Sequence, residues 1–231
     1  MWIDKKSFVQ LLKLRDEFEV SEYVETGTFK GINAEYQSRF FDAVQTVESN
    51  QEYFEHSKKA LSKFSNVHLT FQPSDVFLKN FKQKYLNYGR TDNVIFFLDA
   101  HFYNKNAKPE DRWNVKKELR ALENFKKGII IIHDFGCDGL GRLIYDGEHL
   151  DFNLIKEEIN KVNPDFYYYH NTMIGCDIIT REEIVRLNLS QPLVALDNLD
   201  YAYSSPDKTY RGILYATPKK LDLSCYDLVK N

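Results

Sequence analysis

The sequence has few cysteines, no long apolar run and no surplus of one charge, and each shortage excludes something. Cys137, Cys176 and Cys225 are odd in number and far apart, with no Cys-x-x-Cys spacing. That excludes a disulfide framework and a cysteine-built metal or redox pair, so reduced thiols are expected. No apolar stretch approaches the roughly 20 residues that span a bilayer, and Met1-Trp2-Ile3-Asp4-Lys5-Lys6 lacks an apolar signal core. A cytoplasmic protein with no membrane partner is the expectation. Lys and Arg number 31 against 34 Asp and Glu, a formal net charge of −3. So weak a field excludes global attraction to nucleic acid or anionic lipid, and a small-molecule or glycan partner fits better. Homo-oligomer formation is left open.

No repeat, low-complexity tract or Pro/Gly/Ser-rich linker divides the chain. Hydrophobic residues are 43% and charged residues 28%, the balance of a chain with a core of its own. The 231 residues are expected to form one domain, with an N-terminal helix over about 5–18 and a Rossmann-like core over about 22–217.

After the amphipathic start (Phe8, Leu11, Leu12 and Leu14), short apolar runs alternate with longer stretches of helical period, the signature of βαβ units. Seven strands are predicted, at 23–25, 43–48, 67–71, 94–99, 129–134, 166–171 and 212–216. Helices are predicted between them at 31–41, 51–64, 75–85, 115–125 and 153–162. The runs Val94 to Leu98 and Ile129 to Ile132 are apolar at every position, as strands covered by helices on both faces must be. The fold class that follows is α/β: a single, seven-stranded, mostly parallel sheet with helices on both faces, binding ligands at its C-terminal strand ends.

The first strand leads into Val24-Glu25-Thr26-Gly27-Thr28-Phe29-Lys30-Gly31. Gly27 is expected to let the backbone approach a ligand, and Gly31 to let the next helix pack close to the strand. The three-glycine dinucleotide fingerprint is absent, because Glu25 stands where its first glycine belongs. A carboxylate there repels a pyrophosphate and suits a cationic or amine-bearing ligand. The second strand ends in Glu48, 23 residues on, close to where a ribose-binding acid is expected. The third strand end supplies Ser74 and Asp75 near an adenine edge, although Ser74 serves equally as a helix N-cap.

The fourth strand runs into Asp99-Ala100-His101 and the fifth into His133-Asp134, which puts acid and imidazole at one rim. Two carboxylates on adjacent strand ends repel unless a cation or a proton intervenes, and hard oxygen ligands suit Mg²⁺ or Mn²⁺. His101, with a near-neutral pKa, is placed to take a proton from an acceptor hydroxyl.

Taken in this order, the motifs resemble class I S-adenosylmethionine-dependent methyltransferases. The segment from Val94 to Phe135 is similar to metal-dependent sugar O-methyltransferases of the macrocin O-methyltransferase type. The resemblance covers roughly Glu22 to Thr217. It implies O-methyl transfer to a hydroxyl of a sugar or glycan building block. Implied for S-adenosyl-L-methionine are Glu25, Thr26, Gly27, Gly31, Glu48, Ser49, Ser74, Asp75 and Asp99. Asp99, Asp134 and His133 are implied for the metal, and Asp99 and His101 for catalysis. One departure is visible: relatives often end the fifth strand in two adjacent acids, where this chain has His133 before a single Asp134.

Two other classes stand beside this reading. In a metal-dependent glycosyltransferase, Asp99-Ala100-His101 would imitate an Asp-x-Asp motif, and Glu25 argues against it. The other is a non-catalytic nucleoside-binding module. The polar loops 104–112 and 136–151 are placed either to close over an acceptor or to serve only as surface connections.

Overall fold

A computed structural model describes residues 5–101, 103–136, 143–171, 212–222 and 229–230. The apolar runs fall into strands β1 (Glu22–Thr26), β2 (Ala43–Glu48), β3 (Val67–Phe71), β4 (Val94–Leu98) and β5 (Gly128–Ile132). A two-stranded hairpin follows, β6 (Ile144–Tyr145) and β7 (Glu148–His149), and then β8 (Tyr167–His170), β9 (Leu214–Thr217) and β10 (Val229–Lys230). The helices are α1 (Lys5–Glu17), α2 (Ile32–Gln37), α3 (Gln51–Leu61), α4 (Ser74–Asn87), α5 (Asn114–Ala121) and α6 (Phe152–Val162).

Among the described residues, eight strands make one sheet in the order β10-β8-β9-β5-β4-β1-β2-β3. From β3 to β5 every pairing is parallel, while β9 lies antiparallel between β5 and β8. The seven predicted strands are present, each within two residues of its expected start. The two-residue edge strand β10 and the β6–β7 hairpin, which occupies the second expected loop, are additions.

Period two decides which face each side chain serves. Ile95 and Phe97 of β4 join Ile129 and Ile131 of β5 under α1 and α2, in a cluster with Phe8, Leu11, Leu12 and Ala34. Phe96 and Leu98 join Ile130 and Ile132 on the opposite face, against Leu78, Leu119, Ile155 and Ile159 of α4, α5 and α6. A strand feeding both layers has no solvent face, which is why β4 and β5 are apolar throughout.

Three helices stop earlier than their periodicity suggests, α2 at Gln37, α3 at Leu61 and α5 at Ala121. The Asn66 amide donates to the carbonyls of Ser38 (2.7 Å) and Phe41 (3.0 Å), which ends α2 at Gln37. Beyond α5, Asn124 adopts φ 63° and its N–H donates to the Lys161 carbonyl. Among the described residues no helix is long and apolar enough to cross a membrane. All five parallel strands point their C-terminal ends at one rim. Strand order reverses between β1 and β4, where a crevice opens in sheets of this kind.

Candidate active site

Thr26 closes β1 at that reversal point. Its hydroxyl accepts from the backbone N–H groups of Asp99 (3.1 Å) and Ala100 (3.3 Å), tying the exit of β4 to that of β1. Gly27 follows at φ +82°, and a Cβ there would stand 2.8 Å from the Asp99 carbonyl oxygen. The glycine is thus required by β4's backbone, a reason the sequence did not disclose. Gly31, at φ +81°, has the Leu61 and Ser57 side chains within 3.3 Å of a would-be Cβ, so it admits α3 rather than β1.

Glu48 ends β2 as expected, 8% exposed. One oxygen accepts from Phe29 N–H (2.8 Å) and the other from the N–H groups of Ser49 (2.9 Å) and Asn50 (2.8 Å). A carboxylate has roughly four acceptor positions, so one is left for a ribose hydroxyl. Ser49 is exposed beside it, and Asp75 lies half-buried in the first turn of α4. Ser74 does not cap α4: it is the first helical residue, and its hydroxyl accepts from the Asn114 amide at 2.9 Å.

Glu25 is held inside the protein at the C-terminal end of β1. It is 1% exposed, with its oxygens accepting from Asn33 Nδ2 (2.5 Å) and Thr46 Oγ1 (2.8 Å). Burial pushes its carboxyl up to about 7. With one oxygen on Asn33 and the other on Thr46, it braces β1 against α2 and β2.

At the exits of β4 and β5, register pairs Leu98 with Ile132, which sets the residues that follow abreast. Asp99, His101, His133 and Asp134 each offer a ligand atom there, all within 4.8 Å of one another. His101 Nε2 contacts Asp99 Oδ1 and lies 3.0 Å from Asp134 Oδ2. His133 Nδ1 lies 3.1 Å from Asp99 Oδ1 and 3.6 Å from Asp134 Oδ1. Asp134 holds φ 54°, a left-handed conformation uncommon outside glycine. Burial alone would raise the Asp99 carboxyl, but the charges of His133 and His101 overcome it and hold that carboxyl well below the usual range. Burial would lower His101; the Asp99 and Asp134 carboxylates prevail and push it up to about 10. The direction of that shift is set by the two flanking carboxylates, which favour the protonated ring.

Beneath this cluster lies a buried hub that sequence reasoning missed. Glu118, 1% exposed on α5, meets the Ser74 and Thr26 hydroxyls, and Asn114 Nδ2 donates to it at 3.1 Å. The signal was Asn114 and Glu118 at i, i+4, two polar residues one turn apart beside apolar Val115 and Leu119. The two expected loops also meet. Tyr103 and Trp113 pair across the base of loop 104–112, Tyr145 of β6 stacks on Tyr103 at 5.0 Å, and Trp113 Nε1 donates to Glu148 at 2.8 Å. The rest of the second loop, with Gly139 and Gly141, lies outside the described residues, as do all three cysteines.

No family model matches this chain, and no curated protein does. Among solved structures, a plantazolicin methyltransferase in complex with a triazolic desmethyl analogue and S-adenosylhomocysteine superimposes with a TM-score of 0.50 at 14% identity, covering 92% of this chain and 84% of that one. An O-methyltransferase from Bacillus cereus in complex with S-adenosylhomocysteine gives 0.43 at 14% identity over 94% and 83%. Fibrillarin from Aeropyrum pernix with S-adenosyl-L-methionine gives 0.43 at 16% over 92% and 74%. At such identities the first of these establishes the fold and nothing finer: this chain has the Rossmann-like α/β fold of that methyltransferase.

Proposed function

We propose that the chain is an S-adenosylmethionine-dependent methyltransferase acting on a hydroxyl of a sugar or glycan building block, assisted by a divalent ion. One observation carries the reading. At the crevice where strand order reverses, Thr26 joins two unlike half-sites on one rim: the Gly27 loop with the Glu48 carboxylate on one side, and the Asp–His cluster on the other. A nucleoside and a reacting hydroxyl need that adjacency. The methyltransferase that shares the fold was crystallised with S-adenosylhomocysteine, and we carry that ligand class to this rim.

The residues suit the cofactor. Glu48 has an acceptor position for ribose, and Ser49, Ser74 and Asp75 lie at the neighbouring strand ends. Glu25 serves by keeping β1 and α2 in place. The donor set also suits a divalent ion, with Asp99, Asp134 and His133 as its holders; such an ion, Mg²⁺ or Mn²⁺, supplies acidity to a bound hydroxyl.

Calorimetry with S-adenosylhomocysteine, NAD and a nucleotide-sugar in parallel tests the reading. S-adenosylhomocysteine is expected to bind alone among the three, and Glu48→Ala to weaken it by ~1 to 3 kcal/mol in a protein that stays folded. Binding of NAD or the nucleotide-sugar instead, or an unchanged Glu48→Ala, overturns it.

A further inference from the structure

We infer that Asp99, His101, His133 and Asp134 form one four-ligand site that takes a first-row transition dication, such as Mn²⁺, Co²⁺ or Zn²⁺, in preference to Mg²⁺, with His101 a ligand rather than a base. This deepens the proposed function and rests on it only for the presence of an ion at the rim.

Spacing is the first ground. Donors about 2.1 Å from one ion stand roughly 3 to 3.5 Å apart at neighbouring vertices. Three of the separations here are of that size, 3.0 Å (His101 Nε2 to Asp134 Oδ2), 3.1 Å (His133 Nδ1 to Asp99 Oδ1) and 3.6 Å (His133 Nδ1 to the other Asp134 oxygen, Oδ1), while His101 Nε2 and Asp99 Oδ1 are in closer contact and move apart to admit an ion. The widest separation among the four donor atoms, 4.8 Å, requires only a modest contraction around an ion.

The direction of His101 is the second. Its Nε2 is buried, in contact with Asp99 Oδ1 and 3.0 Å from Asp134 Oδ2, so one nitrogen faces both carboxylates at once. A nitrogen shared between two carboxylate oxygens points at the space between them. The ring is held there, because its side chain is only 11% exposed and lies 6.0 Å from the His133 ring in a near-parallel stack.

Donor chemistry supplies the choice of metal. Mg²⁺ is held by oxygen and keeps much of its water, whereas imidazole suits the later first-row ions. Half of these donors are imidazole nitrogens. Two carboxylates and two neutral imidazoles balance a dication in a pocket with little water to screen the charges. The frame is built by the sheet, since all four residues follow directly from the paired ends of β4 and β5.

The test uses the full chain stripped with EDTA and titrated separately with Mn²⁺, Co²⁺, Zn²⁺ and Mg²⁺ by calorimetry, with visible absorption recorded for Co²⁺. One transition ion per chain is expected, bound at least about 100-fold more tightly than Mg²⁺. His101→Gln and His133→Gln are each expected to weaken Co²⁺ by at least about tenfold and to change its spectrum. Far-UV circular dichroism and S-adenosylhomocysteine affinity should stay as in wild type. Mg²⁺ binding as tight as Co²⁺, no ion bound by wild type, or an unchanged Co²⁺ spectrum and affinity in the folded histidine variants each overturns the inference. The wild-type comparison needs no variant to fold, and His101→Asn at the rim is the alternative if His133→Gln does not. S-adenosylhomocysteine binding without any ion sinks this inference alone, while ion binding without S-adenosylhomocysteine sinks the methyltransferase reading alone.

Discussion

Gly27 shows how a single residue can be read correctly from sequence for an incomplete reason. A glycine after Glu25-Thr26 announces a turn that no other residue tolerates, and the turn is there. The neighbour that forbids a side chain, however, is the carbonyl of Asp99, 73 residues from Thr26 and invisible to local pattern. Gly27→Ala must therefore both adopt φ near +82° and push back the β4 exit. We expect a loss of ~1 to 3 kcal/mol in urea unfolding, together with weaker S-adenosylhomocysteine binding. A variant within about 0.5 kcal/mol of wild type would show that the contact is relieved without cost. The same limit explains Glu25 and His101. Their types and positions were legible, but the partners Asn33 and Thr46 of Glu25 come from other elements, and the closeness of Asp134 to His101 is set by the pairing of β4 with β5.

At the scale of elements, the seven strands and six helices were legible because β4 and β5 are apolar on both faces and the helices repeat at 3.6 residues. Strand direction was not. A buried strand shows the same pattern whichever way it runs, so nothing in Leu214 to Thr217 announces that β9 enters antiparallel between β5 and β8. Helix ends were also hidden where a distant side chain sets them. Asn66 reaches back 28 and 25 residues to take the Ser38 and Phe41 carbonyls, and so turns the chain out of α2 toward β2. Asn66→Ala leaves both part-buried carbonyls without that donor. The expected cost is ~1 to 3 kcal/mol by urea unfolding, with protection from hydrogen exchange lost first over residues 38–41. Unchanged exchange there would show that water replaces the amide and that α2 ends for another reason.

For the molecule as a whole, the buried carboxyls set how stability depends on pH. Burial pushes Glu118 from an ordinary 4.5 up to about 7, against the opposing hydrogen bonds from Ser74 and Thr26. A carboxyl raised in the folded state binds its proton more tightly there than in the unfolded chain. Its contribution is therefore intact below pH about 4.5 and is lost as pH climbs through about 7. The loss is on the order of 3 kcal/mol by pH 8. Glu25, raised by burial to a similar value, acts in the same direction. Comparing wild type with Glu118→Gln removes that shared background and every other titrating group. The amide keeps an oxygen for the Asn114 donor and cannot ionise, so the two proteins should unfold at nearly the same temperature at pH 5. By pH 8 the variant should be the more stable, by roughly 2 to 4 °C for each kcal/mol relieved. Thermal unfolding from pH 5 to pH 8 in the presence of EDTA measures the gap. A gap that stays constant across that range would mean that Glu118 does not change its protonation there, and that the Ser74–Asn114–Glu118 hub holds a permanently charged carboxylate.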